Sequence, residues 1–322
     1  MQAWRVHRNG EPSEVMRLEE TDRPTPGDGQ VLIEVLAANV NFPDALLCRG
    51  QYQVQPPLPF TPGVEICGRT PDGRRVLATP ALPDGGLAEY VVADEAALLS
   101  APEALDDAEA AALHIGYQTG WFGLHRRAHL QAGETLLVHA AAGGVGSAAV
   151  QLGKAAGATV IGVVGGPEKA EAASELGCDL VVDRRSENIV AAVKEATGGR
   201  GADVVYDPVG GDAYAASVKC IAFEGRVIVV GFASGAIPAP ALNHALVKNY
   251  SIAGLHWGLY NTQDPAAVRA CHDELTRLSA QGVIKPLVSE RAPLAGAAAA
   301  VQRVADGAST GRIVVLPAGA AR

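Results

Sequence analysis

The chain has 322 residues, of which 48% are apolar and 37 are glycine, and it carries a formal charge of −9. That length suits two domains better than one, and the acidic balance argues against nucleic-acid or anionic-membrane partners, which need a basic field. No apolar run reaches membrane-spanning length, the opening "MQAWRVHRNGEPSEV" lacks the apolar core of a signal peptide, and five scattered cysteines fit a reducing cytoplasm better than a disulfide framework.

Residues 1 to about 118 read as β-rich: "QVLIEVLAANV" has strand composition, and the turns "PTPGDG", "TPDGRR" and "LPDGG" recur at short spacing. From Thr119 to His256 short β-branched runs alternate with Ala-rich helical stretches. The runs "TLLVHA", "TVIGVV", "DLVVD", "ADVVYD", "RVIVVGF" and "SIAGLH" have almost no polar alternation, as expected of parallel strands buried on both faces. Stretches such as "PEKAEAASELG" between them have crossover length, so the region predicts a doubly wound parallel sheet and an α/β fold. After Trp257 a helix over Pro265–Gln281, a strand near "KPLVSE", the helix "PLAGAAAAVQRVADG" and the strand "GRIVVL" are too few for a third domain. They are assigned back to the first. The expected division is 1–118 completed by 257–322, with 119–256 between.

The turn after the first central strand reads "AAAGGVG", with Ala141, Gly143 and Gly146 at the three positions of a dinucleotide-binding fingerprint. Such a match is weak alone; a strand ending at Ala140 and a helix opening near Val145 give it context. The backbone of Ala142, Gly143, Gly144, Val145 and Gly146 is therefore the candidate pyrophosphate site, with amide donors at the helix N-terminus. An acid expected about twenty positions on, to bind a ribose hydroxyl, is missing. The second strand ends instead in Val163, Val164, Gly165 and Gly166, followed by Lys169, while Arg184 and Arg185 follow the third strand. Singly, each cation reads equally well as a solvated surface residue. Together with the absent acid they favour a 2′-phosphate, and hence NADPH, with Glu168 as a mild counter-argument.

The blocks "HAAAGGVGSAAVQLGKAAGA", "VVYDPVGGDAY", "VIVVGFASG" and "NVNFPDALLCRGQYQVQPPLPFTPGVEICG" resemble the quinone oxidoreductase (zeta-crystallin-like) branch of the medium-chain dehydrogenases/reductases over essentially the whole length. The resemblance implies a GroES-like catalytic domain made from both chain ends, a central Rossmann domain, NADPH between the two, and a homodimer or homotetramer. Zinc-dependent relatives in the wider superfamily place a Cys before an Asp and a His before a Glu. Here "NFPD" and "PGVE" put Asn41 and Val64 at those positions, and neither is a useful zinc ligand, so no metal is expected.

A metal-free site can still reduce an acceptor that is already electrophilic, a quinone or an enone. By analogy with the family, Asn41 positions the nicotinamide ribose and the acceptor; Tyr52 of "RGQYQ" matches a tyrosine retained in quinone reductases, and in the related 2-enoyl-thioester reductases the tyrosine of the similar stretch is the proposed proton donor. Equally open are plainer roles: Asn41 capping the turn before Pro43, and Tyr52 packing under "PPLPF". With less weight, Thr119 faces the nicotinamide and the backbone at Gly231–Phe232 meets the carboxamide. His256 and Trp257 line the pocket or serve packing, and Arg312 stays outside the site. A 2-enoyl-thioester reductase and a non-catalytic NADPH-binding scaffold remain the competing readings.

Overall fold

The computed structural model describes residues 1–317, which divide into two compact units, residues 1–115 with 285–317 and residues 116–284. In the first unit a seven-stranded sheet runs in the order Val288–Pro293, Arg312–Leu316, Gln30–Asn39, Ile66–Arg69, Arg75–Ala78 and Leu99–Ser100, with Tyr90–Asp94 also paired to Gln30–Asn39. Alternation along the first part of "QVLIEVLAAN" sends Ile33 and Val35 into the interior, where with Ala38 they join distant parts of the chain, including Trp4, Phe60, Val301 and Val315. The strand Arg312–Leu316 pairs Val314 with Asn39 and Val315 with Ala38, so the chain's last strand lies beside its longest early one.

The second unit holds a six-stranded sheet that is parallel throughout. Its order is Leu180–Asp183, Thr159–Val164, Thr135–His139, Ala202–Asp207, Ile221–Val229, Ser251–Gly254, which is the doubly wound order 3-2-1-4-5-6. All six strands coincide with the β-branched runs of the sequence. Helices Gly144–Ala155, Pro167–Glu175, Ile189–Ala196, Gly211–Ser217 and Leu242–Lys248 lie in the five crossovers. Among the described residues no helix is long and apolar enough to cross a membrane.

The segment Trp257–Ile284, assigned from the sequence to the first unit, falls in the second. Its side chains explain the correction. Trp257 is buried and its indole N–H donates to Gln118 Oε1 (3.1 Å), the Tyr260 ring lies 4.2 Å from that of Phe122, and Asp264 pairs with Arg126 at 2.8 Å. Trp257 thus does packing work inside the second unit, whereas His256 is exposed. Helix Pro265–Ala280 adds buried Val268, Cys271 and Leu275.

Candidate active site

The glycine turn is built as its sequence requires. The strand Thr135–His139 ends into Ala140, which takes a left-handed φ of 51°, and the Ala140 carbonyl accepts from the Gly143 amide at 2.8 Å. Helix Gly144–Ala155 begins at once, with Gly143 as its cap. A Cβ on Gly146 would fall 2.0 Å from the Ala140 oxygen, so only glycine lets the helix start this close to the strand. The first-turn amides of Gly144, Val145 and Gly146 have no intrahelical acceptor, and Ala141 and Ala142 are buried beneath them. This is a donor cradle with no side chain in it, and it fits a pyrophosphate.

At the end of the neighbouring strand, Asp183 Oδ1 accepts from the Gly166 and Arg185 amides at 2.9 and 3.0 Å, which ties the two loops together. The guanidinium groups then lie over the glycines. A Cβ on Gly165 would sit 3.3 Å from Arg184 Nε, and one on Gly166, whose φ is 103°, 2.8 Å from Arg185 Nη1. Lys169 follows in the first turn of helix Pro167–Glu175. Burial first, and then Arg185 and Arg184, holds its ammonium below the usual lysine range. The three cations repel one another, Glu168 and Asp183 offset part of that repulsion, and a phosphate would relieve it further. Gly165, Gly166, Lys169, Arg184 and Arg185 thus lie close together, with the Asp183 carboxylate beside them. Gly231 and Phe232 follow the strand Ile221–Val229, as placed from the sequence, with the Phe232 ring against Gly210. Thr119 is buried in helix Asp107–Trp121.

In the first unit Asn41 caps helix Phe42–Arg49, with Pro43 in its first turn. Its amide N–H donates to Asp44 Oδ2 (2.7 Å), and Asp44 Oδ1 accepts from Gly63 N–H (2.8 Å). Burial lifts the Asp44 carboxyl to about 7, against the pull of those backbone amides. The Asn41 side chain enters a buried network. Nδ2 donates to Glu65 Oε1 (2.7 Å) and to the Asn39 carbonyl (3.2 Å), and Oδ1 accepts from Arg312 Nη1 (2.8 Å). Asn39 Nδ2 also donates to Glu65 Oε1, and the Ile115 amide donates to Glu65 Oε2 at 2.7 Å. Burial raises the Glu65 carboxyl, and Arg312, Asn41 and Asn39 oppose that rise.

Sequence reasoning misses Glu65 and Asn39 and places Arg312 outside the site. The only available signal was the acid in "PGVE" next to an apolar residue. Tyr52 is half-buried against the core of this unit, and burial first, then the Asp44 charge, keeps its phenol neutral above the ordinary tyrosine range. Cys48 and Cys67 are buried thiols. Among the described residues no group of three His, Cys, Asp or Glu side chains is placed to hold a metal ion.

Two family models match the chain: a zinc-binding dehydrogenase model over residues 144–273 and an alcohol dehydrogenase GroES-like domain over residues 27–72. A quinone oxidoreductase-like protein 2 homologue from Nematostella vectensis is 40% identical over 301 residues, covering 90% of this chain and 82% of its own. Among solved structures, a probable oxidoreductase from Mycobacterium abscessus superposes with a TM-score of 0.89 at 37% identity, covering 98% of this chain and 99% of that one. The Escherichia coli quinone oxidoreductase complexed with NADPH gives 0.91 at 30% identity, covering 98% of this chain and 100% of that one. With a glycine turn, a 3-2-1-4-5-6 sheet and a GroES-like unit already in place, these similarities establish that the chain belongs to the quinone oxidoreductase branch of the medium-chain dehydrogenases/reductases, a family of oxidoreductases.

Proposed function

We propose that this protein is an NADPH-dependent, zinc-independent reductase that delivers hydride to a quinone or to an α,β-unsaturated carbonyl. The observation that carries the reading is the placing of Arg184 and Arg185 over Gly165 and Gly166 with Lys169 close by, where the second strand itself ends without an acid and the nearby Asp183 carboxylate is engaged by the Gly166 and Arg185 backbone amides. The Ala142–Gly146 backbone would hold the pyrophosphate, Thr119 and the Gly231–Phe232 backbone the nicotinamide end. When bound, NADPH supplies a hydride from its nicotinamide ring. The chain's own residues do the rest: Asn41 orients the nicotinamide-side ribose, and the neutral Tyr52 phenol supplies a hydrogen bond or proton to the oxygen that gains charge. Asn41 and Val64 in place of Cys and His support zinc independence.

Five free thiols support a reducing, cytoplasmic setting. A homodimer is supported by the face around the edge strand Ser251–Gly254, where Leu242, Leu246 and Val247 are 77–79% exposed. The test of function is oxidation of NADPH, with NADH alongside, against a quinone, a small enone, an enal and a crotonyl thioester. Turnover with NADPH on the quinone or the enone is expected. Turnover confined to the thioester, or none on the whole panel with NADPH bound, would refute it.

A further inference from the structure

Buried charge in the first unit does not balance. Asp44 and Glu65 are both fully buried, and among the described residues Arg312 is the one arginine or lysine that is buried. Two carboxylates sharing one guanidinium in a low-dielectric interior hold a proton more tightly than carboxylates in water. The Arg312 charge falls on Glu65 and pulls it down, and Glu65 also accepts from Asn41, Asn39 and the Ile115 amide. The charge that acts on Asp44 is that of Glu65, which disfavours ionisation, and the counterweight comes from backbone amides. The excess proton therefore belongs on Asp44.

Asp44 also sits where its ionisation matters. It is the third residue of helix Phe42–Arg49, and its Oδ2 accepts from the backbone amide of Asn41, the cap of that helix, at 2.7 Å. Oδ1 accepts from the Gly63 amide at 2.8 Å, and the Val64 amide donates to the same carboxyl. One carboxylate thus ties the helix start at Asn41 to the loop that carries Glu65. Each of these contacts is an N–H donor and is strongest to a carboxylate, so a proton on Asp44 weakens all of them. The titratable neighbours bring no opposing charge. Cys48, one turn on along the helix, is a buried thiol pushed up to about 12, and burial keeps the Tyr52 phenol neutral. Arg49 is paired with Glu11 at 2.8 Å, and His114 Nε2 lies 3.4 Å from Thr79 Oγ1.

We propose that Asp44 is a positioning residue gated by its own proton: ionised, it clamps the Asn41 helix start to the Gly63–Glu65 loop, and protonated it releases them, so that turnover falls as the solution turns acid. The inference rests on the reductase reading above, in which Asn41 belongs to the reacting site, and adds a regulation to it. Burial, which lifts the Asp44 carboxyl to about 7, puts the switch in the neutral range.

Asp44→Asn copies the shape and neutrality of the protonated acid. In the wild type, kcat on the accepted substrate is expected to fall about tenfold between about pH 8 and about pH 6, because one pH unit below a midpoint of about 7 leaves about a tenth of the carboxyl ionised. D44N is expected to be about tenfold slower than the wild type at about pH 8 and flat across the same range. The second readout is thermal stability, which needs no substrate. A carboxyl whose folded-state value lies above its unfolded one stabilises the fold while protonated, and that stabilisation is lost as pH rises from about 4 to about 7. The melting temperature of the wild type should therefore drop relative to that of D44N across that window. A structural carboxylate that stays ionised gives no such drift.

If D44N does not fold, infrared difference spectra of the wild type carry the test. The band of a buried protonated carboxyl is expected on the acid side and should vanish with the same midpoint as the rise in kcat. The proposal fails if that band does not titrate in the neutral range, or if wild-type kcat is flat there. It fails equally if D44N keeps the wild-type acid limb, matches the wild-type rate on the alkaline side, or shows a melting-temperature difference that does not move with pH. A wild type silent on every acceptor sinks the reductase reading, which is a different failure, and the melting-temperature comparison then decides for Asp44 by itself.

Discussion

Lys169, Arg184 and Arg185 each look unremarkable in the chain, and their meaning comes from Gly165 and Gly166, which leave room for guanidinium groups where a Cβ would stand. That much was legible, because a third strand beside the second follows from βαβ alternation and the missing acid can be counted out along the sequence. Lys169→Ala should weaken NADPH about tenfold and NADH much less, the lower end of a charge-assisted contact because the site is partly solvated. Fluorescence titration with both cofactors checks this; equal losses would remove Lys169 from phosphate binding. Asn41 was legible as a candidate but its partners were not. Arg312 stands 271 positions away, and no local pattern announces that its guanidinium ends on the Asn41 oxygen at 2.8 Å.

At the level of elements, hydrophobic runs placed all six central strands, since a strand buried on both faces has to be apolar throughout. The glycine turn was legible for a related reason: it is a steric demand written in residue type. Gly146→Ala drives a methyl group into the Ala140 carbonyl, 2.0 Å away, so helix Gly144–Ala155 has to move off its strand. We expect a stability loss of about 1–3 kcal/mol, a melting temperature lower by about 3–10 °C, and weaker NADPH binding. Calorimetry and titration of the purified variant check both. An unchanged melting temperature would mean that the helix start is looser than described. The segment Trp257–Ile284 was misassigned because a count of leftover elements carries no contact information. Its place is decided by Trp257 on Gln118 and Tyr260 on Phe122. Nor does composition announce the π-helical turn Phe122–Arg127, which follows helix Asp107–Trp121 without a break.

For the whole molecule, the conspicuous feature is the exposed apolar side chains of helix Leu242–Lys248, which leads directly into the edge strand Ser251–Gly254. Leu242, Leu246 and Val247 on this helix are 77–79% exposed, and elsewhere in the second unit Phe223 and Ile237 are 71% and 73% exposed. Among the described residues the edge strand Ser251–Gly254 is hydrogen-bonded on one side only, to Ile221–Val229. An open edge flanked by apolar side chains is self-complementary about a two-fold axis, where the strand can pair with its own copy. Leu246→Asp buries a charge in such an interface and is expected to turn a dimer into monomers by analytical ultracentrifugation, with the secondary structure unchanged. A wild type that sediments as a monomer would remove the interface.

The sequence by itself determined the doubly wound sheet, the glycine turn and the cation cluster, because each rests on short-range rules: strand burial, helix-start sterics, and the position of a charge relative to a strand end. The tertiary structure alone decided which unit receives Trp257–Ile284 and which way the Asn41 amide faces. Both depend on contacts between residues far apart in the chain. A hydrogen bond between Arg312 and Asn41 exists only once the last strand has paired with Gln30–Asn39, and residue identity does not encode that pairing locally.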